Sequence, residues 1–485
     1  MTNPEIRKVD VAVIGAGTAG LSAFREARKY SENVVLIEGG SGGTTCAQEG
    51  CMPSKLLIAA AEAARQVKRA PAFGIEVEGG SVSGAAVLSR VRRERDRFVS
   101  HVKKGTENIA SSRRIQGWAH FVDANTLQVG QQRIEARATV LATGSSPAIP
   151  KPFQHLQERL LTSADVFEWP DLPRSLAVFG AGIIGLELGL ALHHLGVRVS
   201  IFGKDHDLAG LTDPVVKQCA AECFARELPM DLDADVRSLV EHADGVEIQW
   251  QDGAETRLET FEYVLVCTGR RANLSRLNLE NLGVAIGEQG LPDWNKDTLQ
   301  IEGLPIFLAG DSNNHKPLLH EAGDEGRLAG HNAVHYPELK TLKRRSGLSI
   351  VFSHPQIAHI GSLYKDLEPD CIAIGEVDFS DQGRSRVMLE NQGMLRVYAA
   401  HEDQRFLGAE MVGPAAEHLG HLLAWAHQSG LTIPEMLRMP FYHPTIEEGL
   451  KTALTQVQRK LKDGPPADSP CAGGYVIREP GDFTA

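Results

Sequence analysis

The sequence predicts an α/β fold with two doubly wound units and a C-terminal α+β domain, on three observations. A short apolar run, Val11-Ala12-Val13-Ile14, leads directly into Gly15-Ala16-Gly17-Thr18-Ala19-Gly20, with a helical pattern over Leu21–Lys29 behind it. The same strand, turn and helix recur about 165 residues on, at Gly180-Ala181-Gly182-Ile183-Ile184-Gly185. From Gly347 the glycine fingerprints stop, and alternating strand-like pieces mix with helices.

In the first unit a second strand, Val34–Ile37, ends in Glu38, 23 positions beyond Gly15. Strand, glycines, helix and acid together form a dinucleotide fingerprint. Gly15, Gly17 and Gly20 let the backbone approach a pyrophosphate at the helix N-terminus, and Glu38 can accept a bond from a ribose hydroxyl. The second unit reads as strand Ser175–Phe179, the turn Gly180, Gly182 and Gly185, helix Leu186–Leu195 and strand Arg198–Phe202. Two complete units predict two dinucleotides, and hence a two-cofactor oxidoreductase. The place of Glu38 is taken by Gly203, followed by Lys204. That removes the acidic signature of NAD and supplies one cation, which leans towards NADP without an arginine pair.

Between the units lies Gly42-Gly43-Thr44-Thr45-Cys46-Ala47-Gln48-Glu49-Gly50-Cys51-Met52-Pro53-Ser54-Lys55. On a regular helix, residues five apart are rotated by about 140° and lie beyond the roughly 4.4–6.8 Å Cα separation of a disulfide. A Cys46–Cys51 bond therefore requires a non-helical break. Gly50 allows it, and Pro53 suits the first turn of a helix through Lys55–Ala64. Unpaired N–H groups at that helix start favour a thiolate. The pair reads as redox-active, the alternative being two reduced, buried cysteines in an apolar helix start.

At 485 residues the chain is too long for one core and predicts roughly three domains. Its 48 glycines fit several tight strand-to-helix turns. The net charge of −12 is spread along the chain, which speaks against a nucleic-acid stripe or a basic membrane face. Seven cysteines, an odd number, argue against a secreted disulfide scaffold. The charged start runs straight into a strand, and no apolar run approaches the ~20 residues that cross a bilayer. A soluble, cytoplasmic protein is expected, with no metal, nucleic-acid or membrane partner.

Two later strands close in Thr-Gly, at Thr143-Gly144 and Thr268-Gly269, and a third closes in Gly310-Asp311. On physical grounds these are buried strands ending in turn residues, and Asp311 could bond a sugar hydroxyl. A helix is expected from Leu319 to about Val334, a solvated loop at Lys340–Arg345 and a solvated helix face at Arg90–Arg95. Strands are expected at Met394–Ala399 and Phe406–Met411, helices at Ala415–Ser429 and Leu450–Leu461, and a flexible or loosely docked tail over Lys462–Ala485. Cys219 and Cys223, one helical turn apart, read as packing residues because no further ligand lies nearby. His418 and His421 read as surface or packing.

With these motifs in hand, the chain resembles the flavin-dependent pyridine nucleotide–disulfide oxidoreductases, the group containing dihydrolipoamide dehydrogenase and glutathione reductase. The resemblance runs from about Val9 to Leu461. It rests on both glycine fingerprints, Glu38, Cys46 and Cys51 followed by Pro53-Ser54-Lys55, both Thr-Gly turns, Gly310-Asp311, and His443-Pro444-Thr445 with Glu448. Pro-Ser-Lys after the second cysteine is similar to the dihydrolipoamide dehydrogenase branch, whereas Ala47–Gly50 departs from the Leu-Asn-Val-Gly usual there.

The resemblance implies two Rossmann-like domains, for FAD and for NAD(P), and a dimerisation domain. The divisions expected are 1–155 and 271–345 for FAD, 156–270 for NAD(P), 346–462 for dimerisation and 463–485 for the tail. The first fingerprint, Glu38 and Asp311 would hold FAD, and the second fingerprint the nicotinamide cofactor. Thr143, Gly144, Lys204, Gly269 and Gly310 join the cofactor-binding set. Cys51 would face the flavin as a thiolate, and Cys46 would attack the substrate disulfide. Lys55 would pair with Glu187 beside the flavin, and Ile183 would occupy the gate between nicotinamide and flavin. His443, oriented by Glu448, would serve Cys46 of the other subunit in a homodimer.

The histidine also follows from chemistry, since thiol–disulfide exchange needs a base to take and return a proton. Of the two His-Pro pairs, His443 precedes a helix start with Glu447 and Glu448, whereas His354 enters a strand-like run with no acid nearby. The expected activity is two-electron transfer between NAD(P)(H) and a small dithiol or disulfide, with lipoamide first. The alternatives are a glutathione reductase-like or other low-molecular-weight disulfide reductase and, from another class, a non-catalytic flavoprotein sensor or complex subunit. A mercuric reductase is disfavoured, because that family uses adjacent C-terminal cysteines and this chain has only Cys471 there.

Overall fold

Short apolar runs that alternate with glycine turns and helices bury their strands on both faces, and three main sheets result. The computed structural model describes residues 6–78, 80–466, 469 and 471. In the first sheet Ile6–Ile14 pairs in parallel with Val34–Glu38 and with Gln132–Leu141. Val11, Ala12 and Val13 are wholly buried. Ile306–Leu308 adds in parallel to the same Gln132–Leu141 strand, so chain from both sides of the second unit completes one sheet.

The second unit has Ser175–Phe179 at its centre, parallel to Arg198–Phe202 and Tyr263–Val266. The third sheet is antiparallel. Its order is Leu348–Val351, Gln356–Gly361, Phe406–Gly413, Met394–Ala400 and Ile372–Asp378. The helices Ala416–Gln428 and Glu447–Asp463 pack on it.

Three surface expectations are corrected. Arg344, in the loop expected to be solvated, donates to the buried carboxylates of Glu321 and Glu325 at 2.8 Å each. Charges inside a protein persist when paired, and this cluster ties the loop to the helix Leu319–His335. On the basic helix face, Arg92 donates to the carbonyls of Phe167 and Trp169 while Arg95 pairs with Glu168. Both arginines therefore hold the segment leading into the second unit. The tail expected to be flexible or loosely docked is covalently tied at Cys471, which is bonded to Cys371; residues 467, 468, 470 and 472–485 lie outside the described residues. Among the described residues, no helix is long and apolar enough to cross a membrane.

Candidate active site

The cysteine stretch folds as two helices with a break between them. Thr44 caps the single turn Thr45–Gln48, its hydroxyl accepting from the Ala47 N–H at 3.2 Å. At Gly50 a Cβ would come within 3.1 Å of the Thr45 carbonyl oxygen, and the chain there turns into the helix Cys51–Arg69. The break brings Cys46 onto Cys51. The side chains are close enough there to share a hydrogen bond.

The hydrogen bond from Cys46 is the largest influence on Cys51. Burial opposes it, and the Lys55 cation and a backbone N–H reinforce it, bringing the Cys51 thiol down to about 7. Cys46 moves the other way, because it donates that bond, is partly buried and faces the Cys51 charge. The two sulfurs are thus chemically unlike: Cys46 holds its proton more tightly, and Cys51 gives its proton up more readily. Lys55, one helical turn on, makes a 2.7 Å ion pair with Glu187 of the second unit. The other Glu187 oxygen accepts the Phe352 N–H at 2.9 Å, and the Lys55 ammonium lies 4.8 Å from the Phe352 ring centre. This junction draws segments from all three sheets together beside the cysteines.

A cavity of about 770 Å³ opens over this junction. Cys46, Cys51, Lys55 and Glu187 line it. Gly17, Gly144, Gly310 and Asp311 add wall from the first unit and the Ile306–Leu308 strand end, and Gly180, Gly182, Ile183, Lys204 and Gly269 from the second. At Gly17 and Gly182 a Cβ would meet nothing within 4 Å, so the wall there is bare backbone at the starts of the helices Thr18–Ala27 and Ile183–His194. Gly15, Gly20 and Gly185 act differently. A Cβ at Gly15 would lie 2.3 Å from the Ala142 carbonyl oxygen. Those at Gly20 and Gly185 would lie 1.8 and 1.9 Å from the carbonyls of Gly15 and Gly180, so these three permit close backbone packing. The buried hydroxyl of Thr143, next to Gly144, has no partner. Bare amides at two helix N-termini on the cavity wall fit two dinucleotides.

Glu38 closes the first turn, one oxygen accepting from the Ala16 N–H and the other from the Gly40 N–H, both at 2.7 Å. Asp311 accepts from the Ser145 hydroxyl at 2.9 Å, and Ser145 in turn accepts from Arg270 Nε at 2.8 Å. Ser145 and Arg270 were not foreseen; the available signal was their position directly after the two Thr-Gly turns. In the second unit a Cβ at Gly203 would lie 2.8 Å from the Leu232 Cα, so the missing acid has a steric cause in the neighbouring backbone. Lys204 stands on the cavity wall in company with Asp207.

His443 Nδ1 lies 3.0 Å from both oxygens of Glu448, and the Thr445 N–H donates to one of them at 3.2 Å. The imidazole is the largest influence holding the Glu448 carboxyl below its usual range. With the shared proton on Nδ1, Nε2 is left as an outward-facing acceptor. The ring is 82% exposed, and neither His443 nor Glu448 lines the cavity, so a single chain does not bring them to the cysteines. His354 does have an acid, contrary to expectation. Its Nε2 lies 2.8 Å from Glu390, which is remote in sequence and comes close only through the fold, and its ring is 19% exposed. Exposure, rather than a carboxylate partner, separates the two histidines.

Residues 9–326 match the family described as pyridine nucleotide-disulphide oxidoreductase, and residues 348–454 match its dimerisation domain. The chain is 30% identical to a dihydrolipoyl dehydrogenase of Chlamydia pneumoniae over 452 residues, 91% of this chain and 95% of the relative. It is 29% identical to one of Geobacillus stearothermophilus, covering 91% and 94%. A mercuric reductase of Staphylococcus aureus is 28% identical, covering 92% and 81%. Among solved structures, LpdA of Mycobacterium tuberculosis superposes with a TM-score of 0.79 at 24% identity, covering 92% of this chain and 99% of the other.

Proposed function

Because the chain belongs to the pyridine nucleotide-disulphide oxidoreductases, FAD-dependent enzymes that use NAD(P)H, we propose that it oxidises a small dithiol of the dihydrolipoyl type with NAD(P)+ and can run the reverse reduction. One observation carries the reading: Cys46 and the more acidic Cys51 stand beside the Lys55–Glu187 pair on a cavity wall shared with two glycine turns. FAD, when bound, supplies the two-electron relay between the nicotinamide and the cysteine pair.

The residues of the chain do the rest. The two glycine turns bind pyrophosphates, and Lys55, fixed by Glu187, keeps a cation beside the Cys51 thiolate. Ile183, on the wall at the start of the second unit's helix, stands as the gate between the cofactors. In the reducing direction Cys46, losing its proton to the base, attacks one sulfur of the substrate disulfide. The S–S bond breaks, a mixed disulfide forms, and the departing thiolate takes the proton back. The Cys51 thiolate then attacks Cys46, which closes the Cys46–Cys51 bond and releases the second sulfur as a thiolate that takes a proton from solvent. Two electrons have passed, and dithiol oxidation is the same sequence reversed.

The base is His443 of the partner subunit, held by Glu448. The match of residues 348–454 to the family's dimerisation domain supports the homodimer. Glu49 lies on the cavity wall with Cys46, and its carboxylate disfavours a net-anionic disulfide such as glutathione disulfide, which favours a neutral lipoamide. The odd cysteine count supports a cytoplasmic setting for the reaction. Steady-state turnover of lipoamide and glutathione disulfide, each with NADH and NADPH, tests the reading. Lipoamide is expected to have the higher kcat/KM, and no turnover of either disulfide would overturn it.

A further inference from the structure

The C-terminal helix Glu447–Asp463 carries Glu448 at its start. Near its other end, Lys460 donates to the Ile374 carbonyl at 2.8 Å, on the edge strand Ile372–Asp378. Past Gly464 the chain comes back to the beginning of that strand. Cys471 is joined there to Cys371, with a Cα separation of 5.4 Å and a sequence separation of 100. The hydroxyl of the buried Ser469 donates to the Asp370 carbonyl at 2.8 Å and accepts the Cys471 N–H at 3.1 Å. Neither cysteine lines the cavity.

We propose that Cys371–Cys471 is a second redox-responsive disulfide, a thiol-operated clamp that holds the segment after the C-terminal helix on the edge strand of the third sheet. The proposal does not depend on the substrate assigned above. The two sulfurs are unequal. Cys371 is 1% exposed and is followed by the buried Ile372, whereas Cys471 is partly exposed. A small dithiol therefore attacks at Cys471 Sγ. The Cys371–Cys471 bond breaks, a mixed disulfide forms on Cys471, and Cys371 leaves and is protonated. The second thiol of the reductant then attacks the reductant's own linked sulfur, releasing Cys471 as a thiol and leaving the reductant as a cyclic disulfide. Two electrons pass from the dithiol to the protein, and a small disulfide closes the clamp by the reverse steps. Because the leaving Cys371 thiolate forms in buried surroundings, opening is slower than opening of the cavity pair, whose Cys51 is a good leaving group.

The test uses the full-length holoenzyme, oxidised with glutathione disulfide, then treated with NAD(P)H alone or with dithiothreitol, alkylated, and mapped by mass spectrometry. The expected result is a peptide linking Cys371 to Cys471 in the oxidised enzyme. NAD(P)H alone leaves it linked while opening Cys46–Cys51, and dithiothreitol opens it more slowly than the cavity pair. Trypsin cleavage after Lys460 and Lys462 is expected to rise on the order of tenfold when the clamp opens, because local release exposes the helix end. Cys471→Ala, a change at the partly exposed partner, gives the fast cleavage without reductant and leaves flavin reduction by NAD(P)H unchanged. Alkylation of both cysteines in the oxidised enzyme, a link between chains, opening by NAD(P)H alone, or equal cleavage with the clamp open and closed would each overturn the proposal.

Discussion

Lys55 sits one turn beyond Cys51, and its positive charge lowers the Cys51 thiol. Replacing it with methionine keeps the length and removes the charge, so Cys51 is expected to hold its proton to higher pH. The measurement is the pH dependence of Cys51 alkylation in the reduced enzyme. Its midpoint near 7 in the parent enzyme should rise in Lys55→Met, and an unchanged midpoint would remove Lys55 from the account. Lys204 supplies a cation one position after Gly203, which holds the place where an acid marks NAD in related units, so Lys204→Glu should lower kcat/KM for NADPH relative to NADH by about tenfold or more. Lys204 was legible from its spacing behind the second glycine turn, and Lys55 from the family resemblance. The reason for Gly203 was not, because the Leu232 backbone that crowds it belongs to a segment no local pattern connects to it.

At the scale of elements, Glu390 joins the third domain to the helix Cys51–Arg69. It accepts from Arg65 at 2.8 Å, pairs with Arg69, and takes His354 at 2.8 Å. Burial is the largest single effect on this carboxyl and raises its pKa. His354 and Arg65 together outweigh it and bring the group from 4.5 down to about 2. A depressed folded-state value stabilises the fold above the unfolded value, and that contribution is lost as pH falls from about 4.5 through about 2. Its ceiling is about 3 kcal/mol. Glu390→Gln should therefore lower the Tm at pH 7, with the deficit against the parent shrinking steadily as the pH is taken towards 3; a deficit independent of pH would contradict the assignment. Ser175–Phe179 and Arg198–Phe202 fall where the sequence places them, because an apolar run and its glycine turn are local. The Glu390 cluster, the Arg344 cluster and the Cys371–Cys471 bond were illegible, since each joins residues that meet only once the sheets have packed.

At the scale of the whole molecule, the proposed chemistry is divided between a cavity walled by the first two units and the third domain. The cavity has the thiols, the bare amides and the Lys55–Glu187 pair, while the exposed His443 stands on the third domain with the half-buried Glu448 behind it. The Lys55–Glu187 contact spans 132 residues and was foreseen through family resemblance; no periodicity encodes it. His443→Gln is expected to lower kcat for disulfide exchange by roughly 10²–10⁴-fold while flavin reduction by NAD(P)H proceeds normally. Cys46→Ser should show the same division. The most direct test of a site shared between two subunits is a hybrid dimer of one Cys46→Ser chain and one His443→Gln chain, each inactive as its own homodimer. The hybrid carries one intact pairing of Cys46 with His443 of the partner subunit, so lipoamide turnover should return to about half the parent rate per dimer. A hybrid as inactive as its two parents would contradict the account.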